Sequence, residues 1–89
     1  MNAVISVIGV DKTGILALVS TKCAKYNANI IDVSQTVLSK TFSMVMMIEI
    51  DNLSIDFTDF VDIMVNVGNE NNLKIHVMHE NIFNAMHKV

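Results

Sequence analysis

The hydrophobic positions of this 89-residue chain fall into six short blocks and a tail. Ala3–Ile8 is an apolar run rich in β-branched residues, the pattern of a central strand. Gly9 to Gly14 carries turn chemistry. From Ile15 to Tyr26 the apolar positions recur at helical spacing. Ile15, Leu16, Val19 and Cys23 form one stripe, and Lys22 and Lys25 lie on a polar side. Asp11 and Thr13 are the expected N-cap residues. Asn27 and Asn29 suit the helix exit, where a left-handed residue is tolerated. Residues 30–39 then alternate, with Ile31, Val33, Gln35 and Val37 on one face and Asp32, Ser34 and Thr36 on the other. That is a half-buried or edge strand. Lys40 and Thr41 make a tight connection to Phe42–Ile50, a second strong strand and the expected hairpin partner. Asp51–Ser54 reads as a loop. Asp56 opens a second helix with Asp59 at its N3 position. Phe57, Phe60, Val61, Met64 and Val67 are its stripe, and Gly68 with the polar run after it is its end. Leu73–His79 alternates as a last strand. Asn81–Val89 reads as a short amphipathic helix, with Ile82, Phe83, Met86 and Val89 on one side.

The order is β-α-β-β-α-β plus a C-terminal helix. Two right-handed βαβ halves give a four-stranded antiparallel sheet with both main helices on one face. The first and third strands are central and the second and fourth are edges. This is an α+β, ferredoxin-like architecture. One domain is expected over residues 1–89, with a core of 1–79 and a terminal helix of 81–89. The third strand is apolar on both faces. Phe42, Met44, Met46, Ile48 and Ile50 fall on one, Val45 and Met47 on the other. Two helices cover only one side, so the other needs the tail helix, from the same chain or from a second copy. The composition agrees, since 52% of the residues are hydrophobic and 17% charged, more apolar surface than a single small core requires.

Charge and chemistry narrow the functional classes. The basic residues are all lysines, Lys12, Lys22, Lys25, Lys40, Lys74 and Lys88, and the formal net charge is −3. This argues against nucleic acid as a partner. Sheet-face RNA binding would also need aromatic platforms on the central strands, where only Phe42 stands. The absence of arginine removes the acylphosphatase-type phosphate cradle on this topology, because a lysine does not replace the guanidinium fork. Metal carriers of the same topology put two cysteines in the first loop. Here Cys23 stands alone inside the first helix and reads as a small buried hydrophobe. His76 and His79 are three apart on a strand and point to opposite faces, so they do not readily share an ion. His87 lies in the tail. Asp56, Asp59 and Asp62 read as favourable charges near a helix N-terminus. No nucleophile has a base partner, so no enzyme, metal or cofactor is expected. No stretch approaches the about 20 apolar residues of a membrane span. The lone cysteine fits a reducing cytoplasm.

One loop retains candidate chemistry, Gly9-Val10-Asp11-Lys12-Thr13-Gly14. Amides at the start of the following helix attract an anion such as a carboxylate. Asp11 can accept from an ammonium group, and Gly14 lets a ligand approach the backbone. A capped turn with no ligand is the alternative. Asp11-Lys12-Thr13-Gly14-Ile15-Leu16 resembles the Asp-Arg-Pro-Gly-Leu-Leu signature of ACT domains, with Thr13 where many members have proline. Asn29-Ile30 resembles the pair that begins their second strand. Three segments, Gly9–Ile15, Asn29–Val37 and Ile82–Met86, are similar to those of a family of small stand-alone ACT proteins akin to the glycine cleavage system repressor.

The resemblance implies a regulatory module that binds an amino acid at a homodimer interface. Asp11, Gly14 and Asn29 would be the principal contacts, with Lys12 and Ile30 secondary. With no enzymatic domain beside it, such a module would act in trans on a partner protein. A ligand-free adaptor with the same dimer is the alternative function.

Overall fold

The structure is a computed structural model that describes residues 1–86. Its elements are β1 (Asn2–Val10), α1 (Ile15–Lys25), β2 (Asn29–Leu38), β3 (Thr41–Glu49), α2 (Phe57–Glu70), β4 (Leu73–His79) and α3 (Glu80–Met86). The strands form one sheet in the order β2-β3-β1-β4, and every neighbouring pair is antiparallel. This is the ferredoxin-like arrangement read from the sequence, with β1 and β3 central. The tail helix begins at Glu80. The expected helical positions of His87 to Val89 lie outside the described residues.

Side chains directly opposite one another share a face. On the helix side, β1 contributes Ala3, Ile5 and Val7, and β3 contributes Phe42, Met44, Met46 and Ile48. All are buried beneath Ile15, Val19 and Cys23 of α1 and Phe60, Met64 and Val67 of α2. The Tyr26 ring meets Phe60 edge-on at 6.3 Å between centroids, closing the core near the C-terminal end of α1. The opposite face carries Val4, Ser6 and Ile8 of β1 and Ser43, Val45 and Met47 of β3. Helix α3 lies against β1 and β4 of its own chain. Val4 is only 1% exposed, while Ile8 and Val45 remain open at 47% and 37%. The tail therefore covers half of that face in cis.

Four local expectations change. The N-cap of α1 is Gly14, in the left-handed region at φ 91°, and no side chain caps the helix. Asp11 and Thr13 do not cap it. Leu16 is exposed, and Leu18 packs against the core in its place. From Ile15, a step of three residues stays beside the Ile15–Val19–Cys23 line, whereas a step of one turns about 100° away from it. In β2 a register shift between Ile30 and Asp32 adds a residue. Ile30 and Val33 consequently face the core, and Ile31 is exposed. On α3, Ile82 and Met86 are exposed and Phe83 is half-buried, so the apolar side of this helix is only partly covered. Asp56 does occupy the N-cap position of α2, but its side chain makes no capping bond.

Two predictions follow from this packing. A Cβ on Gly68 would sit 2.7 Å from the Leu73 carbonyl oxygen and 3.0 Å from Ile75 Cγ1. That crowding of β4 outweighs the better helix propensity of alanine. Gly68→Ala should lower the stability measured by urea denaturation by about 1–2 kcal/mol, and a raised midpoint would show that α2 and β4 separate easily. Burial pushes the Cys23 thiol up to about 11. At pH 8 its thiolate fraction is then about 10⁻³, so a thiol reagent should label the native protein only at the rate at which it unfolds. Rapid labelling without denaturant would contradict the burial.

Candidate functional site

The loop from Asp11 to Gly14 leaves the sheet where β1 ends and enters α1. It is fastened at two points. The Asp11 amide donates to the Lys40 carbonyl at 2.8 Å, which ties it to the β2–β3 turn. Lys12 Nζ donates to the Asn71 carbonyl at 2.6 Å, which ties it to the turn between α2 and β4. Helix α2 has no basic residue in its last turn. Lys12 supplies a cation to that electronegative end from the neighbouring loop. The Asp11 carboxylate stays exposed.

Gly14 decides what the loop presents. Its left-handed conformation, which side chains other than glycine adopt only with strain, starts α1 without a side-chain cap. The first intrahelical bond runs from the Leu18 amide to the Gly14 carbonyl at 2.9 Å. The amides before it are left to solvent or to a ligand. The first turn holds no acidic residue, so the positive end of the helix dipole is not neutralised from within the helix. The result is a small anion-attracting corner beside one carboxylate.

Asn29 and Ile30 lie elsewhere. Asn29 is opposite Glu49, whereas the Asp11 loop follows Val10, which is opposite Thr41. Eight residues of β3 separate those positions, about 26 Å along a strand. Asp11, Lys12 and Gly14 are thus at one end of the sheet and Asn29 and Ile30 at the other. The sequence carried a sign of this. The 11-residue α1 between them spans about 16 Å. Asn29 is exposed at the start of the edge strand, and the Ile30 side chain packs against the core.

His76 and His79 point to opposite sides of the sheet. His79 packs on the Phe57 ring at 4.4 Å between centroids. His76 lines a groove of about 480 Å³ on the far face, with Ser6, Ile8, Val45, Met78 and Phe83. The sequence pattern marked that face as apolar, but nothing in it located the groove, which depends on where α3 lies. Among the described residues, no three His, Cys, Asp or Glu side chains are grouped so as to hold a metal ion. No described helix is long and apolar enough to cross a membrane.

The chain matches the ACT domain family over residues 2–78. It is 43% identical to a UPF0237 protein of Methanococcus maripaludis over 88 residues, covering 99% of this chain and 98% of the relative. An ACT domain protein from Streptococcus pneumoniae superposes with a TM-score of 0.81 at 41% identity, over 93% of each chain. A protein described as a glycine cleavage system transcriptional repressor shares the fold, with a TM-score of 0.69 at 24% identity. That match spans 85% of this chain and 43% of the other. These likenesses point to a regulatory module and indicate no catalytic family. The chain belongs to the ACT domain family and, within it, to the UPF0237 proteins.

Proposed function

We propose that the protein is a homodimeric regulatory module that binds an amino acid, or a similar small zwitterion, at the β1–α1 loop. The observation that carries this reading is the uncapped start of α1. Its free amides suit a carboxylate, and the exposed Asp11 carboxylate beside them suits an ammonium group. Membership of the ACT domain family supports it.

The separation of Asp11 from Asn29 supports a particular dimer geometry. A ligand that touches both needs two chains. Strand β2 is an open edge, and it lacks the proline or lysine that commonly blunts one. A two-fold axis normal to the sheet would pair β2 with its own copy in antiparallel fashion. The Asn29 end of one chain would then meet the Leu38 end of the other, beside the turn to which the Asp11 loop is tied. Each dimer would hold two equivalent sites, with Asp11, Lys12 and Gly14 from one chain and Asn29 and Ile30 from the other. Binding would stabilise one arrangement of the subunits, which a partner protein reads.

A panel of amino acids tested by thermal unfolding checks the ligand. At about 100 times Kd, stabilisation is about 2.7 kcal/mol, a Tm rise of roughly 10 °C or more for a domain of this size. No shift from any of them at millimolar concentration would leave the ligand-free adaptor as the better account. The shared site has its own check, by mixing variants with the amino acid that gives the shift. Asp11→Ala and Asn29→Ala should each abolish binding alone. Mixed and re-equilibrated, they should regain about a quarter of the wild-type sites, because half the dimers are mixed and each contains one intact pair. Recovery of none would place both residues outside a shared site.

A further inference from the structure

Three aliphatic side chains on or above the β2 edge are exposed. Leu16 is 38% exposed, Ile31 49% and Val37 51%. Leu16 carries one of the free amides at the start of α1, since the first intrahelical bond is donated by Leu18. Its side chain leaves the helix about 100° round from Ile15. In a right-handed β1–α1–β2 crossover that is the flank over β2. Leu18, on the opposite flank, packs against the core. Val37 stands on the sheet below the Leu16 flank. It is opposite Phe42, which is buried on the helix side. An anion-attracting corner and an aliphatic wall are therefore adjacent in one chain.

Resting on the ligand and the dimer proposed above, we infer that the bound zwitterion has an aliphatic side chain. Leu16 and Val37 of one chain, with Ile31 of the other, form the subsite that receives it. Three features of the site point to this class. The first is connectivity. A carboxylate on the amides of α1 and an ammonium group at Asp11 fix two substituents of the ligand's α-carbon. The third substituent starts beside Leu16, whose own amide belongs to the anion corner. The second is chemistry. Beyond the register shift, the helix side of β2 carries Val33, Gln35 and Val37, and none of them is charged. The one charged residue of β2, Asp32, is opposite Met47 on the other face. An ionised side chain placed over this strand would lose hydration and gain no partner charge from it.

The third feature is the second chain. When the Asn29 end of one β2 meets the Leu38 end of the other, Ile31 comes beside Val37. Ile31 is the residue that the register shift leaves unpaired with β3, and its exposure on the edge strand makes it available to a neighbour. Closing the pair around an aliphatic ligand removes apolar surface of all three residues from water. A polar ligand of the same size does not give that gain.

Titration calorimetry on the full chain tests the inference, with alanine, valine, leucine, isoleucine, serine, aspartate and lysine as ligands. Each buried methylene is worth about a factor of four in Kd. Leucine or isoleucine should therefore bind about 10–60-fold more tightly than alanine, and aspartate and lysine should not bind. Leu16→Gln and Val37→Asn, both at exposed positions, should each weaken leucine by about 5–10-fold and leave alanine unchanged. A variant that merely loosened the helix or the strand would weaken both ligands alike. Tighter binding of serine, aspartate or lysine than of leucine overturns the inference and leaves the ligand reading standing. So does leucine binding that both folded variants leave intact. Binding of no amino acid overturns both readings. The order of ligands on the wild type decides the matter if a variant does not fold.

Discussion

The ladder between β1 and β3 is the constraint from which the rest follows. It joins nine residues of each strand; its helix side is apolar throughout, and its other side sets Val4, Ile8, Val45 and Met47 among Ser6 and Ser43. On the helix side the pairs match small against large. Ala3 lies opposite Ile48, Val7 opposite Met44, and Gly9 opposite Phe42. The volume left by the smaller partner is what lets α1 and α2 descend onto the sheet and bury Ile15, Val19 and Cys23 of one and Phe60, Met64 and Val67 of the other. The same economy brings β4 close, since a Cβ on Gly9 would stand 2.6 Å from Leu73 Cδ2. The other face of the ladder, with Val4, Ile8 and Val45, cannot be left wholly to water. Part of the purpose of α3 is therefore set by strands far from it in sequence.

Much of this was legible in the residues. The apolar runs at Ala3–Ile8 and Phe42–Ile50 identified the central strands because both of their faces are buried or partly buried. The helices announced themselves by spacing, and the hairpin by its short connection. The cap of α1, the exchange of Leu16 for Leu18 and the face of Ile31 share one physical character, in that each depends on a single backbone residue. The left-handed Gly14 sets the start of α1, and with it the rotation that buries Leu18 and exposes Leu16. The extra residue between Ile30 and Asp32 turns Ile31 outward, although strict alternation assigns Ile31 to the same face as Val33. Side-chain periodicity does not encode a one-residue insertion, and two adjacent isoleucines are compatible with either register. At the site, the loop's chemistry was readable from Asp11 and Gly14. The tie from Lys12 to Asn71 was not, because it joins residues 59 apart in sequence.

The two ties of the loop bear on how a bound ligand would be communicated. The loop is bonded to the β2–β3 turn through Lys40 and to the α2–β4 turn through Asn71. Helix α1 is closed at its far end by bonds from Asn27 to Ala24 and from Ala28 to Cys23. A loop held in this way has little freedom to fold around a ligand. The free energy of binding would then be expressed where the structure is not already fixed, between subunits rather than within one. A ligand can shift an equilibrium only by its differential affinity for the two states. A site divided between two chains has such a difference built in, because its contacts are complete in one arrangement of the subunits and incomplete in any other. Reciprocity then requires that whatever partner favours that arrangement also tightens ligand binding. For a domain whose loop is tied at two points in this way, a pair of such chains would be the element with two states.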